Sequence, residues 1–185
     1  YSQNRAYSSM VGFGWLDSYH MELYKKGEDY IFVESSGSVY LFEKDKGYLC
    51  DETKEYTLSF DEENLPKITL KDGTIYCFNS FGQLTCKEEP NGCMIVNSYD
   101  ETGRLVSVIS KSDETAPRNL KFTYEEDSRL LKEITDFEET VYSYSFDDKN
   151  LTETKIARGS ESVEYEYGYN QNGKLSVILD GEGNP

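Results

Sequence analysis

The chain has 185 residues, with 19 Lys and Arg against 35 Asp and Glu, and a net charge of −16. That surplus of acid excludes nucleic acid and anionic membrane surfaces as partners, because both are met by a basic footprint. Tyr (16) and Phe (9) are abundant, Ala stands only at positions 6, 116 and 157, and the apolar fraction is 37%; this favours pleated strands over helices, in a thin sheet covered on one face.

The chain opens Tyr1-Ser2-Gln3-Asn4 and closes Asp180-Gly181-Glu182-Gly183-Asn184-Pro185. Neither end carries a targeting signal, and both are expected to be cuts in a longer protein. Leu16, Tyr19, His20, Leu23 and Tyr24 have helical spacing, but their strand-rich surroundings assign them to a strand. Ile31 and Val33 alternate with Phe32, and Val39 and Leu41 with Tyr40 and Phe42, so this hairpin is expected to be covered on both sides. Turns are predicted at Ser35-Ser36-Gly37, Lys71-Asp72-Gly73, Glu89-Pro90-Asn91-Gly92 and Gln171-Asn172-Gly173, where Gly and Asn supply positive φ. Leu130, Leu131 and Ile134 have a weaker helical spacing and are again read as strand. Further on, Tyr142, Tyr144 and Phe146 alternate with Ser143 and Ser145, and Tyr165, Tyr167 and Tyr169 with Glu164 and Glu166.

One motif returns along the chain: an aromatic, an Asp or Asn, a short turn that often holds Gly, a basic or polar residue, and Leu. Its copies are Phe78-Asn79-Ser80-Phe81-Gly82-Gln83-Leu84, Tyr99-Asp100-Glu101-Thr102-Gly103-Arg104-Leu105, Tyr124-Glu125-Glu126-Asp127-Ser128-Arg129-Leu130 and Tyr169-Asn170-Gln171-Asn172-Gly173-Lys174-Leu175. Two copies read as one residue short, Phe60-Asp61-Glu62-Glu63-Asn64-Leu65 and Phe146-Asp147-Asp148-Lys149-Asn150-Leu151. Successive aromatics lie 18, 21, 25, 22 and 23 residues apart. Asp or Asn caps the turn, Gly takes its left-handed position, and the aromatic and Leu face each other on the buried side of a hairpin. One hairpin is marginal in water, but stacked neighbours bury a continuous face. The aromatics and their i−2 neighbours are therefore expected to form one stripe: Tyr76 and Phe78, Ile95 and Tyr99, Phe122 and Tyr124, and the two Tyr-rich runs.

Cys50, Cys77, Cys86 and Cys93 form no C-x-x-C pair, which argues against zinc, and all four are expected to be reduced. A four-residue turn over Asn79–Gly82 would set Phe78 opposite Gln83 and Cys77 opposite Leu84. Tyr76, Phe78, Leu84 and Cys86 would then point to the core and Cys77 outward, so no 77–86 disulfide is expected. No calcium-loop pattern and no nucleophile elbow occurs. His20, the single histidine, reads as a polar strand residue. Glu125-Glu126, Glu138-Glu139 and Asp147-Asp148 read as solvated turn carboxylates. Trp15 reads as a packing anchor. No catalytic residue, metal or cofactor is expected. No run of 18 apolar residues spans a membrane.

These copies resemble the YD repeats of the RHS family, which includes bacterial Rhs polymorphic toxins, wall-associated proteins of Gram-positive bacteria, the C component of ABC toxin complexes, and teneurins. The start supports the resemblance: Tyr1-Ser2, Arg5-x-Tyr7-Ser8 and Gly12-Phe13-Gly14-Trp15 are similar to the block that opens the repeat region in bacterial members. Lys71-Asp72-Gly73-Thr74-x-Tyr76-x-Phe78 is similar to a run that follows it. The resemblance implies an all-β fold of tandem antiparallel hairpins in a long, twisted, curved sheet, an open segment of a YD-repeat shell. Residues 1–58 would be the opening block and 59–185 the repeat array. It implies a structural wall segment of a secreted or cell-surface protein, linked to toxin encapsulation and delivery or to contact between cells. Partners would be other parts of the same parent, namely further repeats and a C-terminal toxin domain. Cut edges would also pair with each other unless charge prevents it. The alternative is an adhesin-like strip whose Tyr ladders bind glycan or peptide.

Overall fold

The computed structural model describes residues 8–15, 17–19, 21–50, 56–112 and 116–185. Arg5, Tyr7, Leu16 and His20 lie outside the described residues. Among the described residues the one helical element is a 3-10 turn, Lys44–Lys46, and the rest of the regular structure is strand. A short pair, β1 (Ser8–Ser9) and β2 (Gly12–Phe13), comes first. An antiparallel three-stranded sheet follows: β3 (Glu22–Lys26), β4 (Asp29–Val33) and β5 (Val39–Phe42). The segment of helical spacing thus enters a strand, as its context required.

Twelve strands then lie side by side in chain order: β6 (Tyr56–Phe60), β7 (Pro66–Leu70), β8 (Ile75–Phe78), β9 (Leu84–Glu88), β10 (Met94–Tyr99), β11 (Leu105–Lys111), β12 (Arg118–Tyr124), β13 (Leu131–Thr135), β14 (Val141–Asp147), β15 (Asn150–Arg158), β16 (Glu161–Tyr169) and β17 (Leu175–Asp180). The sheet ends at β6 and β17 and does not close. It is the series of tandem hairpins expected from the turn spacing.

The chain divides into two compact units. One comprises Ser18–Ser98 and Val108–Arg118; the other comprises the chain up to Asp17 with Tyr99–Ser107 and Asn119–Pro185. In the first, the three-stranded sheet packs on β6–β9. Leu23, Phe32, Phe42, Leu58, Ile68, Tyr76, Phe78 and Leu84 are buried together with Cys50. Phe32 is its centre, fully buried, with its ring 5.9–6.1 Å from those of Tyr40, Tyr56, Tyr76 and Phe78. Such edge-on and offset ring pairs add to the hydrophobic gain of burial. The expected cover on both sides of the 31–42 hairpin is not found. Tyr24, Val39 and Leu41 on its other face are 49%, 51% and 42% exposed, because that hairpin meets the large sheet through one face.

In the second unit the register makes the stripe explicit. Phe122 pairs with Ile134, Ile134 with Tyr142, Tyr142 with Ile156, and Ile156 with Val163. Directly opposed residues share a face, so these form one apolar row. The neighbouring row is polar, running Glu133, Ser143, Lys155, Glu164, with an ion pair between Lys155 and Glu164. Burial falls along the array, from buried Phe122 to Val163 at 51% exposed. Tyr144, opposite Thr154 in the adjacent apolar row, is buried enough that its hydroxyl pKa is pushed up to about 12.

The expected register of the β8–β9 hairpin is overturned. Phe78 pairs with Leu84, the ladder then shifts by one residue, and Cys77 pairs with Cys86. Phe78 and Leu84 face the core as expected, but the extra residue, Thr85, returns Cys86 to the same outer face as Cys77. This is a β-bulge, in which two residues of one strand oppose one of the other. All four cysteines are free.

Candidate functional site: the motif turns and their N-terminal cap

The repeated turn is built around one carboxylate or amide oxygen. Asn79 Oδ1 accepts the backbone N–H groups of Phe81 and Gln83, both at 3.0 Å. Asp61, Asp100 and Asn170 each accept the same pair, two and four residues on, at 2.8–3.1 Å. The backbone closes the loop: Asn79 N–H donates to the Gln83 carbonyl and Gly82 N–H to the Asn79 carbonyl. Gly82, Gly103 and Gly173 hold the left-handed position at φ 79°, 79° and 68°, and Asn64 does so at 62°.

Beyond the turn the aromatic and the Leu meet as expected. Phe78 pairs with Leu84, Phe146 with Leu151 and Tyr169 with Leu175, each followed by the one-residue bulge. The residue after each Leu donates its hydroxyl back across the bulge. Thr85 Oγ1 reaches the Cys77 carbonyl at 3.1 Å, Thr152 Oγ1 that of Ser145 at 3.0 Å, and Ser176 Oγ that of Gly168 at 3.0 Å. Sequence reasoning stopped the motif at Leu, and the Ser or Thr one step later was its missing signal.

Two copies need correction. The 60–65 copy is not short: Asn64 stands in the Gly position, Leu65 in the polar position, and Pro66 pairs with Phe60. In the 124–130 copy the turn is one residue longer, with Asp127 at φ 52°. Leu131, fully buried, pairs with Tyr124 in place of the expected Leu130. The 146–151 copy is short as read, with Asp148 and Lys149 joining Asp147 to its partner Asn150. The same capped turn also appears at a place the motif search missed, where Asp136 Oδ1 accepts from Glu138 and Thr140.

Successive repeats are tied by their own motif residues. Tyr124 Oη donates to the carbonyl of Leu105, the Leu of the preceding copy, at 2.8 Å. Tyr169 Oη donates likewise to the carbonyl of Leu151, also at 2.8 Å. Arg104 forms an ion pair with Asp100 at 2.8 Å, donates to the Ser128 carbonyl at 3.0 Å, and lies with its guanidinium 5.1 Å from the Tyr124 ring centre. Arg129 returns the contact, donating to the Thr102 carbonyl at 2.9 Å. Tyr124→Phe is expected to lower stability by about 0.5–1.5 kcal/mol, the net worth of one hydrogen bond, as read by urea denaturation.

The opening block caps these turns. The Leu131 N–H donates to the Met10 carbonyl at 2.8 Å, and Phe13 N–H to the Lys149 carbonyl at 2.9 Å. Gly12 lies so close that an added Cβ would stand 2.5 Å from the Lys149 carbonyl oxygen. Trp15 packs edge-on against Tyr167 at 5.2 Å and donates its indole N–H to Tyr169 Oη at 3.2 Å, so the aromatic expected to anchor the block is fixed to the last motif aromatic. In the other unit Leu23 N–H donates to the Gly82 carbonyl at 2.8 Å.

The turns set the electrostatics. The Arg104 backbone N–H, with side-chain bonds from Arg104 and Thr102, holds the Asp100 carboxyl well below the usual carboxylate range. The backbone N–H of Asn184 lowers Asp180, and that of Thr74 lowers Asp72. A carboxyl whose pKa is depressed on folding stabilises the fold above its unfolded pKa, about 3.9, and that contribution is lost as pH falls through the folded value. The chain is therefore expected to lose stability progressively below about pH 4. Asp100→Asn keeps the accepting Oδ1, as Asn79 and Asn170 do, but cannot titrate. Urea midpoints at neutral pH and at about pH 3 should differ less for this variant than for the unaltered chain. An unchanged pH dependence would show that Asp100 carries none of it.

The outcome is a ladder of interlocked turns rather than a cleft with convergent catalytic groups. A teneurin YD-shell family model matches residues 39–180. The chain belongs to the teneurin YD-shell family. The motif turns, bulges and Tyr–Leu links are thus the working parts of a YD-shell segment. Among solved structures the chain is similar to TcdB2-TccC3 without the hypervariable C-terminal region (14% identity, TM-score 0.49, 82% of this chain and 8% of that one). It is also similar to TcdB2-TccC3-Cdc42 (15%, 0.47, 84% and 9%) and to TcdB2-TccC3 (16%, 0.47, 84% and 10%). The chain therefore spans about a tenth or less of those chains. No curated protein matches it.

Proposed function

We propose that this chain is a structural wall segment of a YD-repeat shell, in a secreted or cell-surface protein that encapsulates and delivers a toxin or makes contact between cells. It acts without catalysis of its own. Residues 1–58 are the opening block and 59–185 the array, and its partners are other parts of the same parent, further repeats and a C-terminal toxin domain among them. The observation that carries this reading is the link from each Tyr hydroxyl to the preceding Leu carbonyl, at Tyr124–Leu105 and Tyr169–Leu151. Such a contact specifies how one repeat seats on the last and serves no ligand. Arg104 and Arg129, the motif's basic residues, also spend their donors on carbonyls of a neighbouring turn.

Among the described residues β17 has a single strand neighbour, β16, and an open strand edge is a template for another strand. In the shell that edge receives the next repeat. The backbone amides of β17 should exchange hydrogen markedly more slowly in the full parent than in this chain alone; equal rates would sink the wall reading. In isolation the edge pairs with a second copy as salt screens the charge of −16, which light scattering reads as a rising mass. Capture of the isolated chain on a glycan array would instead support the adhesin reading.

A further inference from the structure

The β8–β9 register brings two cysteines face to face on the side of the sheet away from the Phe32 core. Ser59 pairs with Lys67, Lys67 with Cys77, Cys77 with Cys86, and Cys86 with Val96. All five share one face, opposite to that of Tyr76, Phe78 and Leu84. Directly opposed residues of antiparallel strands have Cα atoms about 4.5 or 5.5 Å apart, inside the span of about 4.4–6.8 Å that a disulfide bridges. The two thiols are within hydrogen-bonding reach of each other. Both side chains are partly exposed, so a small reagent can reach them, whereas Cys50 is buried.

We infer that Cys77 and Cys86 form a reversible redox site, a dithiol under reducing conditions and a cross-strand disulfide in the presence of a low-molecular-weight disulfide such as oxidised glutathione. The thiolate of one cysteine attacks the glutathione S–S bond, forming a mixed disulfide and releasing one glutathione thiolate. The second cysteine, deprotonated in turn, attacks the protein sulfur of that mixed disulfide and releases the second glutathione. The protein gives up two protons and two electrons, and the oxidant takes up the electrons as its S–S bond is broken. The product staples β8 to β9 next to the turn on which Leu23 docks. The inference rests on the register alone and not on the shell reading.

Burial pushes both thiols above their ordinary range, which keeps thiolate scarce at neutral pH. Oxidation is therefore expected to be slow there and to keep accelerating as pH rises past the range of an ordinary cysteine.

The site has a direct test, because trypsin releases Asp72–Lys87 with both cysteines in one peptide. The chain is incubated with oxidised glutathione, its remaining thiols are alkylated, and the digest is weighed without reduction. The expected peptide has lost two hydrogens and carries no alkyl label, and dithiothreitol restores both thiols. Chymotrypsin, which cuts between the cysteines, should leave its fragments joined. In Cys86→Ser, Cys77 should stop at the mixed glutathione disulfide. The inference is overturned if the unaltered chain also stops at mixed disulfides. It is equally overturned if Cys77 and Cys86 stay alkylatable after Cys93 has reacted, or if either joins Cys50 or Cys93.

Discussion

Gly82→Ala is expected to destabilise the chain by about 2–5 kcal/mol. Two costs add. Gly82 has φ 79°, a left-handed conformation that costs a residue with a Cβ about 1–2 kcal/mol. The added methyl would also stand 1.9 Å from the carbonyl oxygen of Leu23 and 2.9 Å from its carbonyl carbon. That carbonyl belongs to backbone, and withdrawing it strains the bond from Leu23 N–H to the Gly82 carbonyl. Overpacking of this kind costs about 1–3 kcal/mol. Gly92→Ala is the control. It has a similar φ of 83° but open space around the new Cβ, so only the conformational cost of about 1–2 kcal/mol applies. Denaturant midpoints of the two variants decide the matter: equal losses would mean that β3 does not seat on the motif turn.

Gly82 also shows where sequence reading reaches its limit. Its place in a turn was legible, because Asn79 and Gly82 at that spacing announce a capped turn with a left-handed residue. Its second duty, admitting the backbone of Leu23, depends on a residue 59 positions away, and no local pattern carries it. The same holds for Gly12 against Lys149 and for Trp15 against Tyr169. The strands themselves were legible from alternation at Tyr142–Phe146 and Tyr165–Tyr169, and the apolar row Phe122, Ile134, Tyr142, Ile156, Val163 follows from it once the strands pair in order.

Register was the part that strict alternation could not supply. A period of two assigns Cys86 to the core and Cys77 to the outside, but one extra residue after each Leu inverts the face of everything beyond it. The signal was present as Thr85, Thr152 and Ser176, whose hydroxyls satisfy a carbonyl across the bulge. It reads as a motif only after the three bulges are aligned. The cover on β3–β5 failed for a different reason. Apolar alternation on two faces states what each face tolerates, and the exposure of Val39 and Leu41 shows that one of them is left uncovered by the described residues.

The choice between Leu130 and Leu131 puts that lesson to a quantitative test. The motif as a string ends on Leu130, whereas the fold extends this turn by one residue and seats Leu131 opposite Tyr124. Leu131 is fully buried and Leu130 only half-buried. Leu131→Ala should therefore cost about 2–5 kcal/mol, the range for deleting a buried Leu side chain with partial collapse of the cavity. Neither substitution removes the backbone bonds, since the Leu131 N–H still reaches Met10 and the Leu130 carbonyl still accepts from Glu125. Packing alone is thus compared, and Leu130→Ala should cost about 1 kcal/mol or less, near the ordinary value for a partly exposed substitution. The Tyr124 hydroxyl bond to Leu105 gives an internal check, because loss of Leu131 removes the side chain that faces the same ring. Tyr124→Phe combined with Leu131→Ala should then depart from the sum of the two single costs, as contacting residues do. If Leu130→Ala proves the more damaging variant, the register shift between Thr123 and Tyr124 is misplaced, and the apolar row that begins at Phe122 and Ile134 must be drawn one residue over.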